Sequence, residues 1–331
     1  MKGCMKNYFS ISWEITQECN LSCVFCEIQK LRKKDPFRKM KYLNDKQIKK
    51  IGQALYKTID KNIYIFWTGG EPFLEWKKML RLSKYFKQNF NFLIGVTTNA
   101  TLIHPDQYED ILNTFDIFMI SIDGIGWIHD LLRGKDGTYN QAIKHLSNLS
   151  ILKKDLGSST RLIVACVLNA LNILHFDRFL EVMIEKGADM IEFRPLQTDK
   201  NSIVYINYGL KSEHKEHIKN LKLLKDVYRD KFDLPPGYIE RILRWIDNKD
   251  ITPKRCWTGE NYMFIDAYGN AYPCCSFFPK EIGGFIPYSK FEKILQERKL
   301  IEELNRIRVE FKPNSCSRCL DINNIRLSGG Y

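Results

Sequence analysis

Three cysteines, Cys19, Cys23 and Cys26, stand within the eight-residue stretch CNLSCVFC. Thiolates bind zinc or iron–sulfur clusters. A structural zinc site closes with four ligands, whereas C-x3-C-x2-C offers three on one loop. A 4Fe–4S cluster held by three thiolates keeps one iron without a protein ligand, and that iron is open to chelate a small molecule. A second group, Cys256, Cys274, Cys275, Cys316 and Cys319, lies in the last quarter of the chain, while Cys4 and Cys166 stand apart. Ten cysteines in a chain whose N-terminus lacks the apolar core of a signal peptide point to metal or redox chemistry rather than disulfides.

No run of about 18 apolar residues exists, so no membrane span and no membrane partner are expected, and the chain reads as cytoplasmic. The net charge is +12. It either draws an acidic partner or reflects lysines spread along helices (KQIKK, KLLKD, ILQERK). No dense basic run with interleaved aromatics stands out, which argues against nucleic acid.

Elements must bring these residues together. Residues 9–16, 62–68, 92–97, 117–123, 161–168 and 190–196 are rich in β-branched and aromatic side chains and read as strands. Helical periodicity separates them at 45–59, 73–89, 105–114, 139–154 and 176–186. The alternation predicts an α/β fold, a partial (β/α)6 barrel with a parallel sheet and right-handed crossovers. Chemistry in such folds sits at the C-terminal ends of the strands. After about residue 197 the pattern changes. Helices are expected at 212–231 and 238–248, a hairpin with its turn at Ala267–Asn270, and a helix near 291–309. The expected division is a core over 1–200, a helical linker over 201–255 and a small C-terminal α+β cysteine-rich domain over 256–331.

The ends of the strands carry further motifs in order: TGGEPF (68–73), TTNAT (97–101), SIDG (121–124) and HDLLRG (129–134). Together with the three cysteines, and with Phe25 just before the third, these segments resemble the radical S-adenosylmethionine (SAM) enzymes. The resemblance implies that Cys19, Cys23 and Cys26 hold a 4Fe–4S cluster whose open iron chelates SAM. One electron then cleaves SAM to a 5′-deoxyadenosyl radical that takes a hydrogen atom from substrate. It places Gly69, Gly70 and Glu71 at the amino group of SAM, with the glycines allowing close approach and Glu71 offering a carboxylate. The segments that follow contact the ribose and the methionine carboxylate. Ser121 and Arg133 bind the methionine part, Asp123 lies near it, and Phe25, Asn99 and Leu196 belong to the same cofactor site. Asn99 is either such a contact or a turn residue. His129 and Asp130 either orient the loop or cap the following helix.

Cys256, Gly269 and Cys274 form C-x12-G-x4-C, followed by Cys316 and Cys319. This resembles the C-terminal extension of radical SAM enzymes called SPASM, or its shorter form, Twitch. No cysteine follows Cys319, a departure from full SPASM that points to Twitch. Four thiols, Cys256, Cys274, Cys316 and Cys319, suit one auxiliary 4Fe–4S cluster or a four-cysteine zinc site. Cys275 either replaces Cys274 or stays free. Cys166 either points into the barrel as a hydrogen donor or packs in the core, and Cys275 is a second candidate donor.

Enzymes of this kind modify ribosomally made peptides by epimerisation, crosslinking or oxidation, or act on small molecules such as haem precursors, sugars and aminocyclitols. A non-enzymatic iron–sulfur electron carrier is the third reading. The cluster motif begins only at Cys19, so no leader-binding domain is expected before it. The basic, aromatic segment 197–255 either frames a peptide groove or is a plain linker. The electron donor expected from the resemblance is a flavodoxin or ferredoxin.

Overall fold

The computed structural model describes residues 7–26, 41–232, 234–252, 256–277, 284–311 and 319–320. Six parallel strands carry the site: β1 (Tyr8–Thr16), β2 (Asn62–Gly69), β3 (Leu93–Thr98), β4 (Ile117–Ser121), β5 (Arg161–Leu168) and β6 (Met190–Pro195). Between and beside them run α1 (Asp45–Thr58), α2 (Trp76–Phe90), α3 (Tyr108–Thr114), α4 (Trp127–Arg133), α5 (Thr138–Asp155) and α6 (Phe176–Glu185). The expected partial barrel is therefore present.

Its two faces follow from the period of two along a strand. On β1, Phe9, Ile11, Trp13 and Ile15 are buried in the main core with Ile51 and Leu55 of α1 and Met79, Leu82 and Phe86 of α2. Trp67 of β2 donates its indole N–H to Ser83 on α2 at 2.8 Å and lies 5.6 Å from the Trp13 ring. The alternate residues, Ser10, Ser12 and Glu14 on β1, Thr68 on β2, Thr97 on β3 and Ser121 on β4, face the other way. The barrel's inner face thus mixes these polar groups with apolar ones such as Phe66, Met119 and Ile163, and helices cover the outer face.

The chain adds a hairpin to the same sheet. β7 (Tyr262–Ile265) pairs in parallel with β1, and β8 (Ala271–Tyr272) pairs antiparallel with β7. The order is β6-β5-β4-β3-β2-β1-β7-β8, with β6 and β8 as edges among the described residues. The buried Asp266 shapes the turn expected here. Its Oδ1 accepts from the backbone N–H of Tyr268 and Asn270, and its Oδ2 from the Asn270 amide and the Tyr272 hydroxyl. Gly269 takes φ +90°, which a residue with a side chain rarely adopts.

Helix α7 (Ile203–Tyr208), capped by Ser202, was not expected, and it is followed by α8 (Lys215–Val227) and α9 (Tyr238–Ile246). The segment between barrel and hairpin packs on the β6 edge rather than hanging free. Ile191 bridges to Phe232, and the Phe193 ring lies 5.5 Å from Phe232 and 5.7 Å from Tyr238. The helix expected near 291–309 is two, α10 (Tyr288–Gln296) and α11 (Leu300–Glu310). Arg298 between them takes a left-handed φ of 56°, which ends the first helix as an αL cap does.

Candidate active site

The loop bearing Cys19, Cys23 and Cys26 is gripped from two sides. From the β2 side, Gly70 N–H donates to the Thr16 carbonyl at 2.9 Å and Glu71 N–H to the Glu18 carbonyl at 2.8 Å. Gly69 has φ +135°, and a β-carbon there would lie 2.0 Å from the Thr16 carbonyl oxygen. Its close approach is to the backbone that leads into the cysteine loop. From the α4 side, Val24 N–H donates to the Leu132 carbonyl at 3.0 Å, and a β-carbon at Gly134 would lie 2.6 Å from the Ser22 carbonyl.

Glu71 is 1% exposed. Its Oε1 accepts from Phe73 N–H at 3.0 Å and the Thr98 hydroxyl at 2.7 Å, and its Oε2 accepts from Asn99 N–H at 2.8 Å. Burial pushes this carboxyl up, and the three hydrogen bonds pull it back. The carboxylate thus ties the end of β2 to the end of β3, leaving Oε2 with capacity for one further donor. Asn99 extends the tie: its amide donates to Asn20 at 2.9 Å, and its Oδ1 accepts from the backbone and hydroxyl of Thr101. It is a turn residue and a link to the cysteine loop at once.

Asp123 and Arg133 meet behind Cys23. Arg133 Nε stands 2.7 Å from Asp123 Oδ2 in a buried ion pair, without hydrogen-bond alignment. The same guanidinium places Nη1 3.9 Å from Cys23 Sγ, with Cζ 5.6 Å from the centre of the Phe25 ring. Burial pushes the Cys23 thiol up, and the Arg133 charge opposes that rise. Asp123 Oδ1 also accepts from Val167 N–H at 2.8 Å, and its N–H donates to His129 Nδ1 at 3.0 Å. That bond fixes the proton of the neutral imidazole on Nε2. Burial and the nearby Arg133 charge hold His129 down at about 3, so the ring stays neutral at working pH.

Asp130 caps the next helix. It accepts from Gly137 N–H, Tyr139 N–H and the Thr138 hydroxyl, each at 2.8 Å. Asp130→Ala is expected to cost about 1–2 kcal/mol in urea unfolding at neutral pH. Although desolvation raises it, these hydrogen bonds leave the Asp130 carboxyl below its ordinary value. The lost stability is therefore present above about pH 4 and fades as pH falls further.

Ser121 ends β4, nearly buried, on the inner face, and Leu196 is buried just past β6, outside the main core. Of the two readings of Cys166, core packing is the one its place on β5 supports. It shares its face of β5 with Leu162, Val164 and Leu168, in the core that the helices cover, and is 3% exposed. The Asn172 amide donates to its sulfur at 3.4 Å, and burial pushes its thiol well up. It is a packing residue turned away from the barrel interior.

Of the C-terminal thiols, Cys256, Cys274 and Cys319 are half-buried and Cys275 is exposed, while Cys316 lies outside the described residues. Cys274 is pushed well up by burial, and the charges of Cys275 and Cys319 add to the rise. Arg241 of α9 donates to the Cys319 carbonyl at 2.9 Å. The described residues contain no trio of Cys, His, Asp or Glu side chains already at metal-ligand spacing. The fit of a cluster to the first loop rests on its donor chemistry, three thiols on one short loop with a buried guanidinium against one of them.

Two contacts had no signal in the sequence. The Tyr268 hydroxyl, on the hairpin turn, donates to Gln17 Oε1 at 3.4 Å, and Leu43 N–H donates to the Ala267 carbonyl at 3.0 Å. The hairpin tip thereby rests on residues just before Cys19, across 251 positions of sequence.

Comparison with known proteins agrees with this geometry. The family model described as the radical SAM superfamily matches residues 13–181, just over half of the chain. An iron–sulfur cluster-binding domain, SPASM, matches residues 256–320. The chain is 22% identical to a cysteine-type anaerobic sulfatase-maturating enzyme of Clostridium novyi, over 82% of this chain and 74% of that one. It is 23% identical to mycofactocin maturase MftC of Mycolicibacterium smegmatis (93% and 74%). It is also 23% identical to an AdoMet-dependent heme synthase of Methanosarcina barkeri (89% and 84%). The fold is similar to that of Streptococcus suis SuiB bound to S-adenosylmethionine, with a TM-score of 0.68 at 15% identity over 98% of this chain and 72% of that one.

Proposed function

The chain belongs to the radical SAM superfamily, and from that premise we propose that it modifies a ribosomally made peptide by hydrogen-atom abstraction. SAM and a 4Fe–4S cluster are its cofactors, and the SPASM region adds auxiliary iron–sulfur chemistry. When bound, these groups supply the 5′-deoxyadenosyl radical and an acceptor for a second electron. The chain's own residues build the site. Cys19, Cys23 and Cys26 hold the first cluster. The Gly69–Glu71 turn, Asn99 and Ser121 shape the cofactor's seat with Phe25, Asp123, Arg133 and Leu196. Cys256, Cys274, Cys316 and Cys319 hold one auxiliary cluster.

The observation that carries the peptide reading is a sheet whose order runs from β6 to β8 without these two end strands pairing among the described residues, with Ser12, Glu14, Thr68, Thr97 and Ser121 on its inner face. An extended chain can enter such a cleft, whereas a closed pocket selects small ligands. Two of the relatives are named as maturases, and a SuiB structure holds its precursor peptide SuiA. If the outcome is epimerisation, the hydrogen donor is Cys275, which is exposed, rather than the core residue Cys166. The net charge of +12 favours encounter with an acidic flavodoxin or ferredoxin as reductant. The heme synthase relative supports a second reading, a small-molecule substrate.

The test is mass spectrometry of short peptides encoded beside the gene, after anaerobic incubation with enzyme, SAM and dithionite in deuterated water. Loss of two hydrogen atoms, or incorporation of one deuteron, is expected. Unaltered peptides alongside a processed porphyrin or sugar would replace this reading with the second.

A further inference from the structure

We propose that Arg133 is a positioning residue that sets the reduction potential of the N-terminal cluster through the sulfur of Cys23. The inference rests on the reading that Cys19, Cys23 and Cys26 hold that cluster.

Three contacts fix where the guanidinium lies. Asp123 holds Nε at 2.7 Å, Phe25 lies under the plane with its ring centre 5.6 Å from Cζ, and Nη1 stands 3.9 Å from Cys23 Sγ. Asp123 is itself immobile. It is fully buried, accepts from Val167 N–H, and has its backbone carbonyl held by the Asn172 amide at 2.9 Å. The backbone repeats the same connection, because Leu132, the neighbour of Arg133, accepts from Val24, the neighbour of Cys23. Helix α4 and the cysteine loop are thus joined twice, once through backbone and once through a buried cation on a sulfur.

A cation is costly to bury, and Arg133 is 8% exposed. The Asp123 carboxylate compensates that cost, but a carboxylate alone would be met by Nε. The Nη1 edge is left for the sulfur. A positive charge and an N–H directed at a ligating thiolate stabilise the more negative, reduced state of an iron–sulfur cluster, which raises its potential. Arginine carries five N–H donors, so these two contacts do not exhaust its capacity for an anionic group of a bound ligand.

The experiment is an EPR-monitored redox titration of the reconstituted enzyme carrying Cys256→Ala and Cys274→Ala, so that one cluster gives the signal. Wild-type Arg133, Arg133→Lys and Arg133→Gln are compared at equal iron content. Arg133→Gln is expected to shift the midpoint to more negative values, and Arg133→Lys to shift it less. Should Arg133→Gln fail to load iron, Phe25→Leu, which leaves the cation but removes the ring beneath it, is expected to give a smaller negative shift. A midpoint unchanged in every variant that loads would overturn the proposal. If the background with Arg133 intact carries no cluster at all, the reading of the three cysteines fails instead.

Discussion

Gly69→Ala is expected to destabilise the fold by about 3–5 kcal/mol and to empty the N-terminal loop of iron. The added β-carbon would sit 2.0 Å from the Thr16 carbonyl oxygen, a backbone atom that cannot swing aside as a side chain would. The φ of +135° adds backbone strain of about 1–3 kcal/mol for any residue with a side chain. Relief requires β1 and β2 to separate at their C-terminal ends. That motion breaks the bonds from Gly70 to Thr16 and from Glu71 to Glu18, which hold the entry to the cysteine loop. Thermal unfolding and iron content of the reconstituted protein measure the two effects. A variant that keeps both melting temperature and full iron would show that the loop does not depend on this contact.

Glu71→Ala is expected to cost about 3–5 kcal/mol, because it leaves the N–H groups of Phe73 and Asn99 and the Thr98 hydroxyl without their acceptor. Glu71→Gln keeps one acceptor oxygen and is expected to cost about 1–3 kcal/mol. Urea unfolding of the two variants gives the ordering. If Glu71 served only to contact ligand, both variants would be as stable as the wild type and only SAM affinity would fall. The structure makes the first outcome the expected one, since the carboxylate is an internal strut before it meets any ligand.

The barrel was readable because its strands and helices obey different periods. Residues 161–168 were delimited to the residue, and the alternation of 9–16 matched β1 closely. The same strand shows where the reading ended. RLIVACVL is apolar at almost every position, as strands buried on both faces are, so nothing in it said which face Cys166 would join. Contacts across long sequence distances were equally silent. The glycines of TGGEPF announced a close approach but not that Gly69 approaches Thr16. Tyr268 gave no sign that it would reach Gln17. In residues 288–310 no Gly or Pro marks the break, which the backbone makes instead at Arg298. The cysteine spacing pointed to cluster chemistry, and the expected cofactor roles of the other site residues came from the resemblance of TGGEPF, TTNAT, SIDG and HDLLRG to radical SAM enzymes. The struts around the site were not legible, because they are made by backbone atoms and paired side chains from distant strands.

We propose two separate sets of thiols serving two clusters, the first of them catalytic, and this proposal is open to direct measurement. Its most direct test is the iron and sulfide content of anaerobically reconstituted protein in which Cys19, Cys23 and Cys26 are all replaced by alanine, read together with SAM cleavage under dithionite. About four irons per chain are expected to be retained, held by the C-terminal cysteines, with no 5′-deoxyadenosine formed. Near-zero iron would contradict the auxiliary cluster, and undiminished SAM cleavage would contradict the assignment of the first loop.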